Sequence, residues 1–122
     1  MSLALRRAPA PLALMGLIFY LSAQSDPGAD IGTVGRIVAH AGEYALLTAL
    51  WAWALAPLYG RRALLAAAAI ALLYALTDEY HQSFVPGRDA DLFDIVVDAT
   101  GIAAASWVLS RATRPQEGSR TG

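Results

Sequence analysis

The chain has 122 residues, of which 57% are hydrophobic and 16% charged, with a formal net charge of −1 and a mean hydropathy of +0.45. Its length allows one domain, and the absence of cysteine excludes disulfides, thiolate metal sites and cysteine nucleophiles. The balanced charge gives no electrostatic reason to expect nucleic acid as a partner. Ordinary soluble domains are about 25% charged, so this composition favours a membrane protein.

Four apolar stretches follow one another along the chain. Alanine and leucine dominate them and β-branched residues are few, which predicts helices rather than strands. A helix that crosses a bilayer needs about 20 mostly apolar residues, and each stretch reaches that length when its polar end lies near the interface. We predict an all-α fold, an integral membrane bundle of four transmembrane helices in one domain over residues 1–110, with a disordered cytoplasmic tail over 111–122. The predicted helices span residues 9–25, 37–58, 62–82 and 91–110.

The arginines are sorted between alternate loops. With the N-terminus inside and four crossings, seven of the nine arginines lie inside, and Arg36 and Arg88 lie outside. The ten acidic residues show the opposite distribution, since Glu117 alone lies inside. The positive-inside rule therefore predicts a multi-pass protein of the cell membrane, in contact with lipid, with both termini inside (N-in, C-in).

The first stretch has an alternative interpretation. Arg6 and Arg7, the apolar run after them and the region around Ser22 also fit a secretory signal peptide. Cleavage would leave three helices in the mature protein. The later stretches also have the length of spans, which favours a retained first helix.

Polar side chains gather at the outer ends of the last three predicted helices. Residues three and four apart share one face of a helix, and the predicted topology brings these faces to the same side of the membrane. Ionisable groups inside spans cost several kcal/mol each unless they are paired or hydrated, so such a cluster is a candidate functional site. The faces comprise Arg36, His40, Glu43 and Tyr44 in the second helix, Asp78, Glu79, His81 and Gln82 in the third, and Asp91, Asp94 and Asp98 in the fourth.

Helix capping offers a purely structural explanation of the same residues. Asp91 and Asp94 near a helix start complement the helix dipole, and Arg36 and Arg88 can neutralise nearby carboxylates. Asp98 favours a functional role, because it lies about two turns inside the predicted helix and beyond the reach of a cap.

Several chemistries fit the cluster. His40, Glu43, Glu79 and the aspartates offer nitrogen and oxygen ligands for a divalent cation, although their spacing matches no metal motif. Acid–base chemistry without a metal would use His40 or Glu79 as the base and Arg88 to hold an anionic group. The third option is recognition alone, of a polar headgroup or a glycan-bearing molecule. A transporter is disfavoured because the sequence turns apolar below the cluster.

The residues of this cluster resemble those of the VanZ-like family of bacterial membrane proteins, which is named after a protein linked to teicoplanin resistance. The resemblance covers about residues 12–110 and includes the run from Phe19 to Ser25. Its most specific part is the string Asp-Glu-x-x-Gln-x-Phe-x-Pro-x-Arg-x-x-Asp-x-x-Asp from Asp78 to Asp94, together with His40-Ala-Gly-Glu43-Tyr44. Two positions depart from the pattern: Arg36 stands where lysine is frequent, and Asp98 stands where asparagine is expected.

The resemblance implies a membrane protein of the cell envelope and no settled reaction. We therefore expect a site that binds, and in an enzymatic version modifies, a lipid-linked or cell-wall-associated molecule, with an effect on glycopeptide susceptibility. The alternatives are a non-enzymatic surface or binding protein with a structural polar cluster, and a small transporter. Oligomeric state and metal dependence stay open. The predicted catalytic residues are His40, Glu43, Asp78, Glu79, Gln82, Asp91 and Asp94, and the predicted substrate-binding residues are Tyr44, Arg88 and Asp98.

Overall fold

A computed structural model describes residues 2–23, 32–86 and 92–112 of the chain. Throughout these ranges the regular structure is helical, which confirms the all-α prediction. The helices are α1 Leu3–Arg7, α2 Pro9–Ser22, α3 Gly32–Tyr59, α4 Arg62–Gln82 and α5 Leu92–Ala112.

A short additional helix, α1, precedes the first predicted helix, which corresponds to α2. The Ser2 side chain caps α1 by accepting from the Leu5 amide at 3.2 Å, and helix α1 ends one residue before Ala8. Pro9 then opens α2, where its missing N–H group costs nothing because the first helical residues have no intrahelical acceptor. Helical structure therefore begins before residue 9, and α2 ends at Ser22 instead of 25.

Helices α3 and α4 form an antiparallel pair with a very short connection. Helix α3 starts five residues earlier than predicted and ends where Gly60 adopts a positive φ of 57°. The Gly60 amide donates to the Ala56 carbonyl at 2.9 Å. Glycine reverses the chain here at little steric cost, and α4 begins two residues later at Arg62.

A stripe of small residues lets α4 pack closely into the bundle. Its buried positions recur every three or four residues, so they share one face. Alanine side chains are small, so they let the neighbouring helices approach closely. The stripe becomes polar towards the C-terminal end of α4. Helices α2 and α5 each pack on both α3 and α4. The stripe consists of Ala63, Ala67, Ala71, Ala75, Asp78 and Gln82.

The outer surface of the bundle is apolar. Helices α4 and α5 are each long and apolar enough to cross a membrane. Only 28% and 22% of their most apolar segments are buried inside the bundle. Large side chains such as Leu65, Leu73 and Val96 face outward with more than half of their surface exposed. An exposed apolar surface of this extent suits lipid contact and indicates a membrane protein. Among the described helices, α2 and α3 do not meet the same criteria for a span, so four crossings stay a prediction.

An arginine compensates for a proline inside α3. Pro57 has no N–H group, so the Trp53 carbonyl four residues earlier lacks its usual helical donor. The Arg7 Nη1 atom donates to that carbonyl oxygen at 2.8 Å, and the guanidinium carbon lies 4.6 Å from the centre of the Trp53 ring. Arg7 thereby fastens α1 to α3 and satisfies a polar group that would otherwise be unpaired.

This arrangement predicts a coupling between positions 7 and 57. Arg7→Met should lower the free energy of unfolding by about 1.5–3 kcal/mol, because it removes a charged hydrogen-bond donor. In a Pro57→Ala background, Arg7→Met should lower the free energy of unfolding by less, since the restored amide at position 57 can donate to the Trp53 carbonyl. The measurement is a double-mutant cycle of unfolding in mixed detergent micelles. Arg6→Met is the matched control, because Arg6 is exposed on the same helix; an equal cost of Arg7→Met in both backgrounds would contradict the coupling.

Candidate functional site

The site is created by a very close approach between α3 and α5. A Cβ atom added to Gly101 would lie 2.1 Å from the carbonyl oxygen of Ala41 and 2.8 Å from its carbonyl carbon. Only glycine permits backbone contact at this distance. The approach fixes the register of the two helices and brings the residues before Ala41 and Gly101 together.

His40 directly precedes Ala41, Asp98 lies about one turn before Gly101, and the two side chains face each other. His40 Nδ1 lies 3.4 Å from Asp98 Oδ1, within ion-pair range but without the alignment of a hydrogen bond. The Asp98 side chain is 4% exposed and the His40 side chain 20% exposed, so the histidine stands between the buried carboxylate and the outside. A proton on Nδ1 directed at Asp98 leaves Nε2 as an acceptor for a ligand or a proton.

A second buried carboxylate belongs to Asp78, on the stripe of α4. The Tyr44 hydroxyl donates to Asp78 Oδ2 at 3.3 Å, and both residues are buried. The Ser22 hydroxyl also faces the Asp78 carboxylate. Asp78 Oδ1 nevertheless has no hydrogen-bond partner in the described part of the chain. Tyr44 exposes none of its surface. Its hydroxyl therefore bonds to the Asp78 carboxylate inside the bundle and does not contact the exterior.

Helix α2 supplies residues that the sequence analysis did not assign to the site. Ser22 Oγ lies 3.3 Å from His81 Nδ1, and the Phe19 and His81 rings stack with their centres 4.2 Å apart. His81 was part of a predicted polar face, but neither Ser22 nor Phe19 was. The available signal was the three-residue spacing of Phe19 and Ser22 at the end of the first apolar stretch, which puts both on one face of α2.

The remaining predicted residues lie around these pairs. Glu43 and Asp94 are close enough to His40 to act on it electrostatically, and both are half-buried, as is Glu79. Gln82 is 1% exposed. The predictions for Arg88 and Asp91 lie outside the described residues. We call the assembled group the polar cluster; it comprises Ser22, His40, Glu43, Tyr44, Asp78, Glu79, His81, Gln82, Asp94 and Asp98.

The polar cluster has more acids than bases. It holds five carboxyl groups and two histidines, and two of those carboxyl groups, on Asp78 and Asp98, are almost fully buried. Buried carboxylates need hydrogen-bond donors or positive charge near them. Within the described ranges, no three acidic or histidine side chains are arranged to hold a metal ion. The two buried carboxyl groups are therefore the part of the cluster that most needs hydrogen-bond donors or positive charge nearby.

The geometry also contains the elements of general acid–base chemistry. A histidine oriented through Nδ1 by a buried carboxylate is the arrangement that positions an imidazole as a base. His40 Nδ1 and Asp98 Oδ1 bring the same two groups within 3.4 Å, although they are not aligned as a hydrogen bond. Glu79, the other predicted base, is half-buried.

Comparison with known proteins gives one family. The sequence pattern of the VanZ/LLP1 family matches residues 10–113, which is most of the chain and includes the whole polar cluster. The chain belongs to this family, which confirms the resemblance found in the sequence. Comparison with curated proteins and with solved structures gave no match.

The close approach at Gly101 predicts an unusual response to alanine. Gly→Ala inside a helix normally stabilises by about 1 kcal/mol. Gly101→Ala should instead destabilise by about 1–3 kcal/mol, because the added methyl group meets backbone atoms of Ala41 that cannot move aside. The measurement is denaturant unfolding in mixed micelles, followed by circular dichroism.

Gly42→Ala is the matched control for this prediction. Gly42 is exposed on α3 beside Ala41, and a Cβ atom added there meets nothing within 4 Å. It should be neutral or slightly stabilising. Equal stability of the Gly101→Ala and Gly42→Ala variants would show that the helices do not touch at Gly101.

Proposed function

We propose that this VanZ/LLP1 family member is a multi-pass protein of the cell envelope that binds a lipid-linked or cell-wall-associated molecule at the polar cluster. In this proposal the chain crosses the membrane four times with both termini inside, so the cluster faces outward. The family membership and the apolar exteriors of α4 and α5 support the location. The sorted arginines support the orientation.

One observation carries the proposal more than any other. Asp98 lies about two turns inside α5 and is 3% exposed, yet its partner is a histidine that is itself partly exposed. A pair that existed only for stability would be better replaced by apolar residues, because buried ion pairs seldom repay their desolvation. Ionisable pairs kept at such positions in membrane proteins commonly serve function.

The ligand class follows from the chemistry of the cluster. An excess of carboxyl groups favours hydroxyl, amide and ammonium donors, which are abundant on glycans and on peptides of the cell wall. A lipid-linked form of such a molecule would place its polar group at the level of the cluster while its lipid chain stays along the apolar exterior. An effect on teicoplanin susceptibility is the cellular outcome that we infer.

Acid–base catalysis is the second candidate. The orientation of His40 by Asp98 favours it, since Nε2 is then directed away from the carboxylate and free to take a proton from a bound water or hydroxyl group. In this version Asp94 orients the attacking water, and Arg88 holds an anionic group of the ligand.

The proposal predicts a change in teicoplanin susceptibility when the chain is expressed in a susceptible bacterial host. The wild-type chain should raise the minimal inhibitory concentration, and His40→Gln should return it to the level of cells that carry the empty vector. If His40 acts as a base, Asp98→Asn should also return the inhibitory concentration to the empty-vector level, because a neutral amide cannot stabilise the imidazolium that forms. If His40 acts only by binding, Asp98→Asn should keep part of the effect, because the amide has the same shape and still holds the imidazole in place.

Arg6→Gln is the matched control, because Arg6 is an exposed arginine on α1, away from the polar cluster. All variants are compared at equal membrane abundance and with equal melting temperature in detergent. Unchanged resistance in His40→Gln and Asp98→Asn would overturn a functional role of the pair and leave the cluster with a structural role. No effect of the wild-type chain on susceptibility would overturn the proposed cellular outcome.

A further inference from the structure

The end of the bundle opposite the polar cluster concentrates positive charge. Helix α1 meets the C-terminal part of α3 through the contact of Arg7 with Trp53, and the turn after α3 follows a few residues later. Helix α5 runs in the same direction as α3, because His40 faces Asp98 and Ala41 meets Gly101, so the last turn of α5 reaches the same end. We call this the arginine end; it comprises Arg6, Arg7, Arg61, Arg62 and Arg111.

No carboxyl group among the described residues of this end neutralises the arginines. Residues 2–23, 45–77 and 99–112 contain neither aspartate nor glutamate. Arg7 donates a hydrogen bond to the Trp53 carbonyl, whereas Arg61, Arg62 and Arg111 are exposed. Guanidinium groups in this situation attract anions, and they bind phosphate oxygens in a bidentate manner.

Two tryptophans mark the arginine end as a membrane interface. Trp53 and Trp107 are 46% and 60% exposed, and the guanidinium carbons of Arg7 and Arg111 lie 4.6 Å and 4.8 Å from their ring centres. Tryptophan is enriched at the level of lipid headgroups. The stacking holds both guanidinium groups beside rings that belong at that level, which is where lipid phosphates lie.

We propose that the arginine end binds anionic phospholipid headgroups in preference to zwitterionic ones. The whole chain has a formal net charge of −1, so overall charge does not explain such a preference. It arises from the separation of arginines and acids to opposite ends of the bundle. Each basic residue near an anionic membrane surface is attracted to it, and several basic residues lie together at this end.

The preference is measurable through the fluorescence of the three tryptophans, Trp51, Trp53 and Trp107. The full chain is reconstituted into vesicles of equal parts phosphatidylglycerol and phosphatidylcholine, with brominated acyl chains on one lipid or on the other. Tryptophan quenching is normalised to vesicles of the same composition without bromine. Quenching should be stronger when phosphatidylglycerol carries the bromine. The association constant relative to phosphatidylcholine should be on the order of fivefold, which corresponds to about 1 kcal/mol.

The variants separate a local site from general charge. A triple variant with Arg61→Gln, Arg62→Gln and Arg111→Gln should bring the relative association constant close to one, while Arg7 keeps its structural contact. The single variant Arg36→Gln changes an exposed arginine at the opposite end of α3 and should keep the preference. Raised salt should weaken the preference of the wild-type chain without any substitution.

Three results would overturn the proposal. The first is equal quenching from the two brominated lipids. The second is an unchanged preference in the triple variant or at high salt. The third is an equal loss in Arg36→Gln, which would assign the preference to net charge and not to the arginine end. All of these results are independent of the ligand at the polar cluster.

Discussion

The backbone contact between Ala41 and Gly101 is the constraint on which the rest of the bundle depends. It sets the register of α5 against α3 and thereby determines which side chains meet at the polar end. A helix pair held farther apart would leave Asp98 in an apolar interior without His40 beside it. An unpaired buried carboxylate costs far more than a paired one. Close packing of small residues and pairing of charged ones are therefore parts of a single arrangement.

The same rule of pairing governs the two ends of the molecule. At the polar end, Tyr44 donates to Asp78 and His40 faces Asp98. At the arginine end, Arg7 donates to a carbonyl that Pro57 leaves without a donor. Between the ends, the α4 stripe is alanine and the exterior is apolar. Among the described residues, the charged side chains therefore lie at the two ends of the bundle.

Helical spacing within each segment predicted much of this, and its limits have a physical reason. The all-α fold, the polar faces of α3, α4 and α5 and the family resemblance could all be read from the sequence. Spacing within a helix gives the residues that share its face, but it does not give the rotation of one helix against another. The Tyr44–Asp78 bond and the Ser22–His81 contact depend on tertiary packing, so the sequence did not reveal them. The same holds for Arg7, whose role is visible only beside Pro57. The boundary between α1 and α2 at Ala8 is different, because Pro9 marks it in the sequence.

The proposed function requires the polar cluster and the arginine end to lie on opposite sides of the membrane. The chain contains no cysteine, so single cysteines report sidedness without a background. Arg36→Cys and Arg61→Cys place one thiol near each end of α3, at positions that are exposed. A membrane-impermeant maleimide should label Arg36→Cys in intact cells and Arg61→Cys only after permeabilisation. Labelling of both variants from the same side, or the reverse pattern, would contradict an outward-facing polar cluster.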